Sequence, residues 1–101
     1  MKPHIELAAK EETQEAAAWY ERQRAGLGLE FLVAVEAMIL EIGRAPERFP
    51  QLETLPEEKN VRRALLDRYP YAVIFEDIEG KIRILAVAHT SRRPSYWRRR
   101  R

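Results

Sequence analysis

The chain has 101 residues, no cysteine and a formal net charge of +2. This length predicts one domain with one modest core, and the lack of cysteine excludes disulfides, thiolate catalysis and cysteine-ligated zinc. No window is apolar and long enough to span a membrane, and the start of the chain has no apolar signal-peptide segment. We therefore expect a cytoplasmic protein that does not associate with a membrane.

The charge is distributed unevenly along the chain. Residues 1–61 carry 7 Lys and Arg against 12 Asp and Glu, a net charge of −5, whereas residues 62–101 carry 11 against 4, a net charge of +7. Such asymmetry indicates a polyanionic or acidic partner for the second half. A folded domain in which acidic helices neutralise basic strands explains it equally well, and both interpretations stay open here.

The first half of the chain predicts a strand and two helices. Residues 4–7 alternate in polarity, and residues 10–24 are rich in Ala, Glu and Gln. Gly26 and Gly28 interrupt that helical pattern. A second helix is predicted over residues 29–42, ended by Gly43, because its apolar residues step by four, three and four positions: Phe31, Val35, Met38 and Ile42.

The second half predicts a loop followed by strands. Residues 45–56 contain three prolines and should lie over the core, anchored by Phe49 and Leu52. The apolar period then changes to two, which predicts strands at residues 61–67, 71–77 and 81–89.

Two local patterns refine this prediction. Asp77-Ile-Glu-Gly80 is typical of a hairpin turn. Alternation in the last strand would place Leu85 and Val87 on one face. The order β-α-α-β-β-β predicts an α+β fold, with an N-terminal strand and a helical hairpin packed on a small, mainly antiparallel sheet.

Candidate functional residues collect near the end of the chain, in HTSRRPSYWRRRR. His89 has the side chain suited to acid–base chemistry near neutrality, but a lone histidine at a strand end is more often satisfied structurally. Tyr96 could stack or donate a proton, or could pin the chain to the sheet, as Trp97 could. Five arginines are candidates for binding a phosphate or a target protein: Arg62, Arg63, Arg83, Arg92 and Arg93.

This composition leaves the kind of partner open. Arginines hold phosphates while aromatic rings stack bases, yet Arg, Tyr and Trp also dominate protein interfaces. The sequence contains no glycine-rich phosphate loop, metal-ligand spacing or nucleophile elbow, so we predict neither a metal nor a cofactor.

The chain resembles the RelE/ParE superfamily of bacterial type II toxin–antitoxin toxins, also called plasmid stabilisation proteins. The resemblance runs from His4 to Trp97 and rests on EAAAWYERQRAGLGLEFLVAVE, the FP of Arg48-Phe49-Pro50, VRRALLDRYPYAVIFE and ILAVAHTSRRPSYW. It implies a single toxin domain over residues 1–97 with a helical hairpin against a small antiparallel sheet. Residues 98–101 lie beyond the resemblance and are expected to form a mobile basic tail.

The superfamily contains two activities. RelE-like members are ribosome-dependent mRNA endoribonucleases, whereas ParE-like members inhibit DNA gyrase by binding. The first case implies acid–base roles for His89 and Tyr96 and a phosphate held by the arginines Arg62, Arg83 and Arg92. Tyr71 and Thr90 stand where RelE-like enzymes carry basic residues, so the ParE-like branch is favoured.

The resemblance also implies a partner. Toxins of this superfamily are held inactive by a cognate antitoxin, and the basic second half of this chain should attract an acidic, amphipathic antitoxin segment. We expect Arg63, Arg83 and Trp97 to contact it. The target would be DNA gyrase, or the ribosome and mRNA in the RelE-like case. A family member that binds its antitoxin but is no longer toxic is a further alternative.

Overall fold

The computed structural model of the protein describes residues 2–52, 60–92 and 96–100, with only the backbone for residues 98 and 99. Its elements are β1 (His4–Ile5), α1 (Leu7–Gln23), α2 (Leu27–Arg44), β2 (Val61–Leu65), β3 (Tyr71–Ile78) and β4 (Lys81–His89), with short 3-10 helices at Pro46–Arg48 and Tyr96–Arg100. This order confirms the predicted α+β fold. Within the described residues, neither helix has the length and apolarity needed to cross a membrane.

The four strands form one sheet in the order β1-β4-β3-β2. The β1 strand runs parallel to β4, and the other neighbours are antiparallel. Helices α1 and α2 pack together on one face of the sheet, where side chains such as Phe31, Val35 and Phe75 are buried. A smaller apolar cluster on the other face surrounds Trp97.

The link between the helices depends on glycine and on one carboxylate. Gly26 precedes α2 with a φ of 91°, in the left-handed region that glycine adopts without strain. The Glu21 carboxylate accepts the N–H groups of Gly26 (2.9 Å) and Gly28 (3.0 Å), and these bonds lower the pKa of Glu21. Glu21 thus satisfies donors at the start of α2 that have no partner within the helix.

The helix boundaries differ slightly from the predicted ones. Helix α2 begins at Leu27, two residues earlier than predicted, and it continues through Gly43 to Arg44. Ala45 leaves the helical conformation, and Pro46 begins the following 3-10 helix. Ala45 and Pro46, rather than Gly43, therefore end helix α2.

The predicted hairpin between β3 and β4 is present. Glu79 (φ 52°) and Gly80 (φ 82°) form its two-residue turn, and two successive positive φ angles are the mark of a type I′ turn, whose twist matches that of the flanking strands.

The predicted alternation along β4 is wrong after Ile84. The residues of β4 that pair with β3 on the two sides of an irregularity are Ile84 and Ala86, so Leu85 is an extra residue in the strand. A bulge of this kind reverses the alternation beyond it. As a result, Val87 joins Ile84 in the helix-facing core, whereas Leu85 and Ala86 both pack in the cluster on the other face.

The predicted loop anchors occupy both cores. Phe49 packs against the helix-facing core and Leu52 against the cluster around Trp97. The N–H of Leu52 donates to the carbonyl of Val61 (2.9 Å), so this segment lies along the outer edge of β2. The rest of the predicted loop, residues 53–59, lies outside the described residues.

We predict that Gly28→Ala destabilises the fold. A Cβ atom at this position would lie 2.6 Å from the carbonyl oxygen of Ala17, so the two helices would have to separate. Overpacking of this kind typically costs about 1–3 kcal/mol, which outweighs the better helix propensity of alanine. Urea denaturation measures the change. Val33→Ala, an exposed position on the same helix, should change the free energy of unfolding by less, and an equal loss in both variants would contradict the prediction.

Candidate functional site

A groove forms where α1, the end of β4 and the C-terminal 3-10 helix meet. Its volume is about 200 Å³ and its lining includes Glu12, Glu15, Trp19, His89, Arg92 and Tyr96. The groove therefore brings together three of the side chains that the sequence selected, namely His89, Arg92 and Tyr96. Among the described residues, no group of three or more His, Asp or Glu side chains is arranged to hold a metal ion.

The Glu12 carboxylate organises one wall of this groove. Its Oε1 atom accepts the backbone N–H of Val87 (3.0 Å) and a guanidinium N–H of Arg100 (2.8 Å). Its Oε2 atom accepts the hydroxyl of Tyr96 (2.5 Å) and the second amino group of Arg100 (3.2 Å). Both oxygens thus have partners from the far end of the chain, and charge-assisted bonds of this kind are the stronger ones in proteins.

The geometry of β4 explains why a carboxylate is needed here. The short β1 strand pairs with β4 only at Arg83 and Ile84, and the N–H of Glu6 adds one bond to the carbonyl of Ile84. Beyond that point Glu12 accepts from the N–H of Val87, and Arg100 donates to the carbonyl of Leu85 (3.0 Å). Side chains from α1 and the C-terminal helix therefore satisfy backbone groups that a neighbouring strand would otherwise bind.

Tyr96 is held as a neutral phenol. Burial is the main cause that raises its pKa, followed by the hydrogen bond that its hydroxyl donates to Glu12. The guanidinium groups of Arg92 and Arg100 lie 4.0 Å and 5.0 Å from the centre of its ring, close enough for cation–π attraction. The phenolic proton is thus engaged within the protein, and Tyr96 joins α1 to the C-terminal helix.

The Nδ1 atom of His89 is also engaged within the protein. Its Nδ1 atom accepts the backbone N–H of Ser91 (3.0 Å) and lies 2.7 Å from the Ser91 hydroxyl. The backbone group can only donate, so Nδ1 is the acceptor and the proton of the neutral ring lies on Nε2. The ring meets Tyr71 edge to face at 5.2 Å between centroids. The observed partner of the ring is thus a backbone N–H of the following turn, and a functional role for His89 stays a prediction.

The predicted arginines divide into two groups. Arg63 and Arg92 are exposed and line a pocket of about 60 Å³ beside Tyr96 and Trp97. Arg93 lies outside the described residues.

Arg62 and Arg83 are engaged elsewhere. Arg62 donates to the carbonyl of Phe49 (2.6 Å). Arg83 lies near the opposite end of β4 from His89 and pairs with the carboxylates of Glu6 (3.4 Å) and Glu76 (3.2 Å). The structure therefore does not bring Arg83 to the groove, and the expected grouping of Arg62, Arg83 and Arg92 around one phosphate is not present in it.

Trp97 and Arg100 are both integral to the fold. Trp97 is 1% exposed and packs against side chains such as Val61, Ile74 and Leu85, so a partner could reach it only after displacing the C-terminal helix. We expected Arg100 to belong to a mobile tail. It instead lies in the 3-10 helix and binds Glu12 and the carbonyl of Leu85, because its guanidinium finds acceptors at the open edge of β4.

Glu12 is the site residue that the sequence did not reveal. Only 15% of the Glu12 side chain is exposed. The sequence did contain a signal for the burial of Glu12. The small residues Ala9 and Ala16 lie three residues before and four residues after it, on the same side of α1, and the structure buries both. A glutamate on the small-residue face of a helix lies towards the core.

The two helices and the four-stranded mixed sheet, in the order β-α-α-β-β-β, define a RelE/ParE-like α+β fold. Comparison with solved structures finds similarity to a chain of the chromosomal ParDE TA system from P. aeruginosa, with a TM-score of 0.64 and 17% sequence identity over 88% of this chain and 95% of that chain. This likeness confirms the fold that the resemblance implied. No family model and no curated protein matches the sequence.

We predict that Glu12→Gln destabilises the protein. The amide of glutamine removes the negative charge opposite Arg100 and replaces one acceptor oxygen by a donor, which leaves Tyr96, Arg100 or Val87 without its acceptor. Loss of such partners in a partly buried site costs about 1–3 kcal/mol. Urea denaturation of the full chain measures the change. The matched control is Glu15→Gln, one turn further along α1 and exposed, and equal effects of both changes would refute the role of Glu12.

The raised pKa of Tyr96 predicts a pH dependence. The folded protein keeps the phenolic proton at pH values where the unfolded chain releases it, so the stabilisation by this hydroxyl is complete below about pH 10 and declines above it. The difference in unfolding free energy between wild type and Tyr96→Phe should therefore be constant below about pH 10 and shrink progressively as the pH rises above it. Denaturation curves at several pH values test this. For Glu15→Gln the difference should stay constant, and a constant difference for Tyr96→Phe would contradict the assignment.

Proposed function

We propose that this protein is the toxin of a type II toxin–antitoxin system, that a cognate antitoxin neutralises it, and that it acts in the cytoplasm. We further propose that it belongs to the ParE-like branch and inhibits DNA gyrase by binding. The likeness of the fold to a chain of a ParDE system and the sequence resemblance to the RelE/ParE superfamily support the toxin assignment.

The engagement of Tyr96 and His89 is the observation that favours binding over cleavage. RNA cleavage needs a base for the attacking 2′-hydroxyl and an acid for the leaving group. The hydroxyl of Tyr96 donates a hydrogen bond to Glu12, and the Nδ1 atom of His89 accepts one from the backbone N–H of Ser91. Tyr96 thus holds the C-terminal segment in place, and the Nδ1 atom of His89 holds the turn that follows β4, which supports a protein that acts through its surface.

The exposed arginines support a contact with acidic partners. Arg63 and Arg92 lie beside one another around a small pocket, in the half of the chain whose net charge is +7. Complementary charge speeds association and selects partners more than it raises affinity. We propose that an acidic antitoxin segment contacts this surface through Arg63 and that the target contacts it through Arg92.

One observation favours the ribonuclease alternative. His89, Arg92 and Tyr96 line the same groove, and Arg92 is exposed there, so a phosphate could approach a base and a phenol together. For RNA cleavage the bond between Tyr96 and Glu12 would have to open when the ribosome or mRNA binds. A family member without toxicity is the third alternative.

A supercoiling assay with purified DNA gyrase tests the main proposal. The full chain should inhibit supercoiling, and the double variant Arg63→Glu/Arg92→Glu should raise the concentration needed by at least about tenfold, because both charges are reversed on the proposed contact surface. The matched control is Arg22→Glu, an exposed arginine on α1, which should leave inhibition unchanged.

The alternatives give different results. Cuts within codons of ribosome-bound messages, with supercoiling unaffected, would replace the gyrase proposal by the RelE-like activity, and loss of those cuts in Tyr96→Phe would assign the tyrosine a catalytic role. Normal growth during expression without an antitoxin would indicate the non-toxic alternative. Inhibition of supercoiling while messenger RNA stays intact would exclude both the ribonuclease alternative and the non-toxic alternative.

A further inference from the structure

Helix α2 is apolar on both of its sides. Its inner side is buried in the core, whereas Leu29, Val33 and Leu40 on the opposite side are 66%, 58% and 53% exposed. These three residues are spaced by four and seven positions, so they form one stripe along the helix. A helix that is hydrophobic all round is normally covered on all sides, and an exposed apolar patch of this kind marks an interaction surface.

A groove runs beside this stripe, and Leu29 and Val33 belong to both. It lies between α2 and residues 66–69, and its volume is about 590 Å³. Small and apolar side chains line its α2 wall: Val33, Ala34, Ala37 and Met38. The lining extends from Leu29 to Glu41, which is about 18 Å along a helix axis. This length matches about three turns of a second helix, and small side chains let two helices approach closely.

The rim of the groove carries more acidic than basic groups. Glu30, Glu41 and Asp67 line it, against one base, Arg68. Glu30 also pairs with Arg24 at 3.2 Å, but both side chains are exposed, and such pairs contribute little. Bound to a second copy of this chain about a two-fold axis, this surface would meet its own acids, which is unfavourable. A basic partner is favourable.

We infer that the outer face of α2 and its groove bind an amphipathic helix of another protein, whose apolar stripe is flanked by lysine or arginine. The inferred contact is helix-in-groove recognition, with affinity from the apolar stripe and selectivity from the acidic rim. This surface is separate from the groove around Tyr96, since α2 contributes no residue to that groove. The inference therefore does not depend on the proposed toxin activity.

Fluorescence anisotropy with labelled synthetic peptides tests this inference. The probe is a helical peptide of about 15 residues with leucines at i, i+4, i+7 and i+11 flanked by lysines. The full-length protein should bind it at least about tenfold more tightly than the same peptide with glutamates in place of the lysines. Replacing the leucines by serines should abolish binding, because the stripe supplies the affinity.

Two matched variants locate the binding surface. Leu40→Lys places a base in the stripe and should weaken binding of the lysine-flanked peptide by at least about tenfold. Leu7→Lys changes an equally exposed leucine on α1 (69% exposed) and should leave binding unchanged. Circular dichroism verifies that both variants fold.

Three results would overturn the inference: no binding of the lysine-flanked peptide, equal affinity for the two flanked peptides, or equal loss in the two variants. Sedimentation provides a fourth, since a wild-type dimer that Leu40→Lys dissociates would assign the surface to a second copy of the chain.

Discussion

The structure depends on one carboxylate that lies between the beginning and the end of the chain. Glu12 of α1 binds a backbone amide of β4, the phenol of Tyr96 and the guanidinium of Arg100. A partly buried ion pair stabilises a fold only when hydrogen bonds satisfy its remaining groups, and here both oxygens have partners. The short β1 strand leaves part of the β4 edge without a strand neighbour, and Glu12 with Arg100 completes it.

Most of the fold could be predicted because α2 and the strands have strong periodicities of their own. The predicted faces of β4 failed for a physical reason. The bulge at Leu85 shifts the alternation by one residue, but the residues around it are all apolar, so the pattern of hydrophobic residues is the same with or without the bulge. The end of helix α2 was predicted at Gly43, but it depends on Ala45 and Pro46, which follow Arg44, rather than on the glycine.

The candidate site could be predicted only in part, because its residues come from distant positions. His89, Arg92 and Tyr96 are close in the sequence and share the groove, whereas Glu12 is 84 residues from Tyr96 and only the small residues on its side of α1 set it apart from other helical glutamates. The alternation of side chains along a strand indicates on which face of the sheet an arginine lies, but not which carboxylate or carbonyl group it binds. For this reason Arg83, which pairs with Glu6 and Glu76, could not be separated from the other candidate arginines by sequence alone.

The structural role of Tyr96 competes with a chemical role. A phenol that donates to a carboxylate, beside a guanidinium bound to the same carboxylate, is held in its protonated form. Releasing it for catalysis would also release Arg100 and uncover the backbone edge of β4. The interactions that fix the C-terminal segment to the sheet thus make its tyrosine a poor base, whereas the side chains of Arg63, Arg92 and the outer leucines of α2 remain exposed.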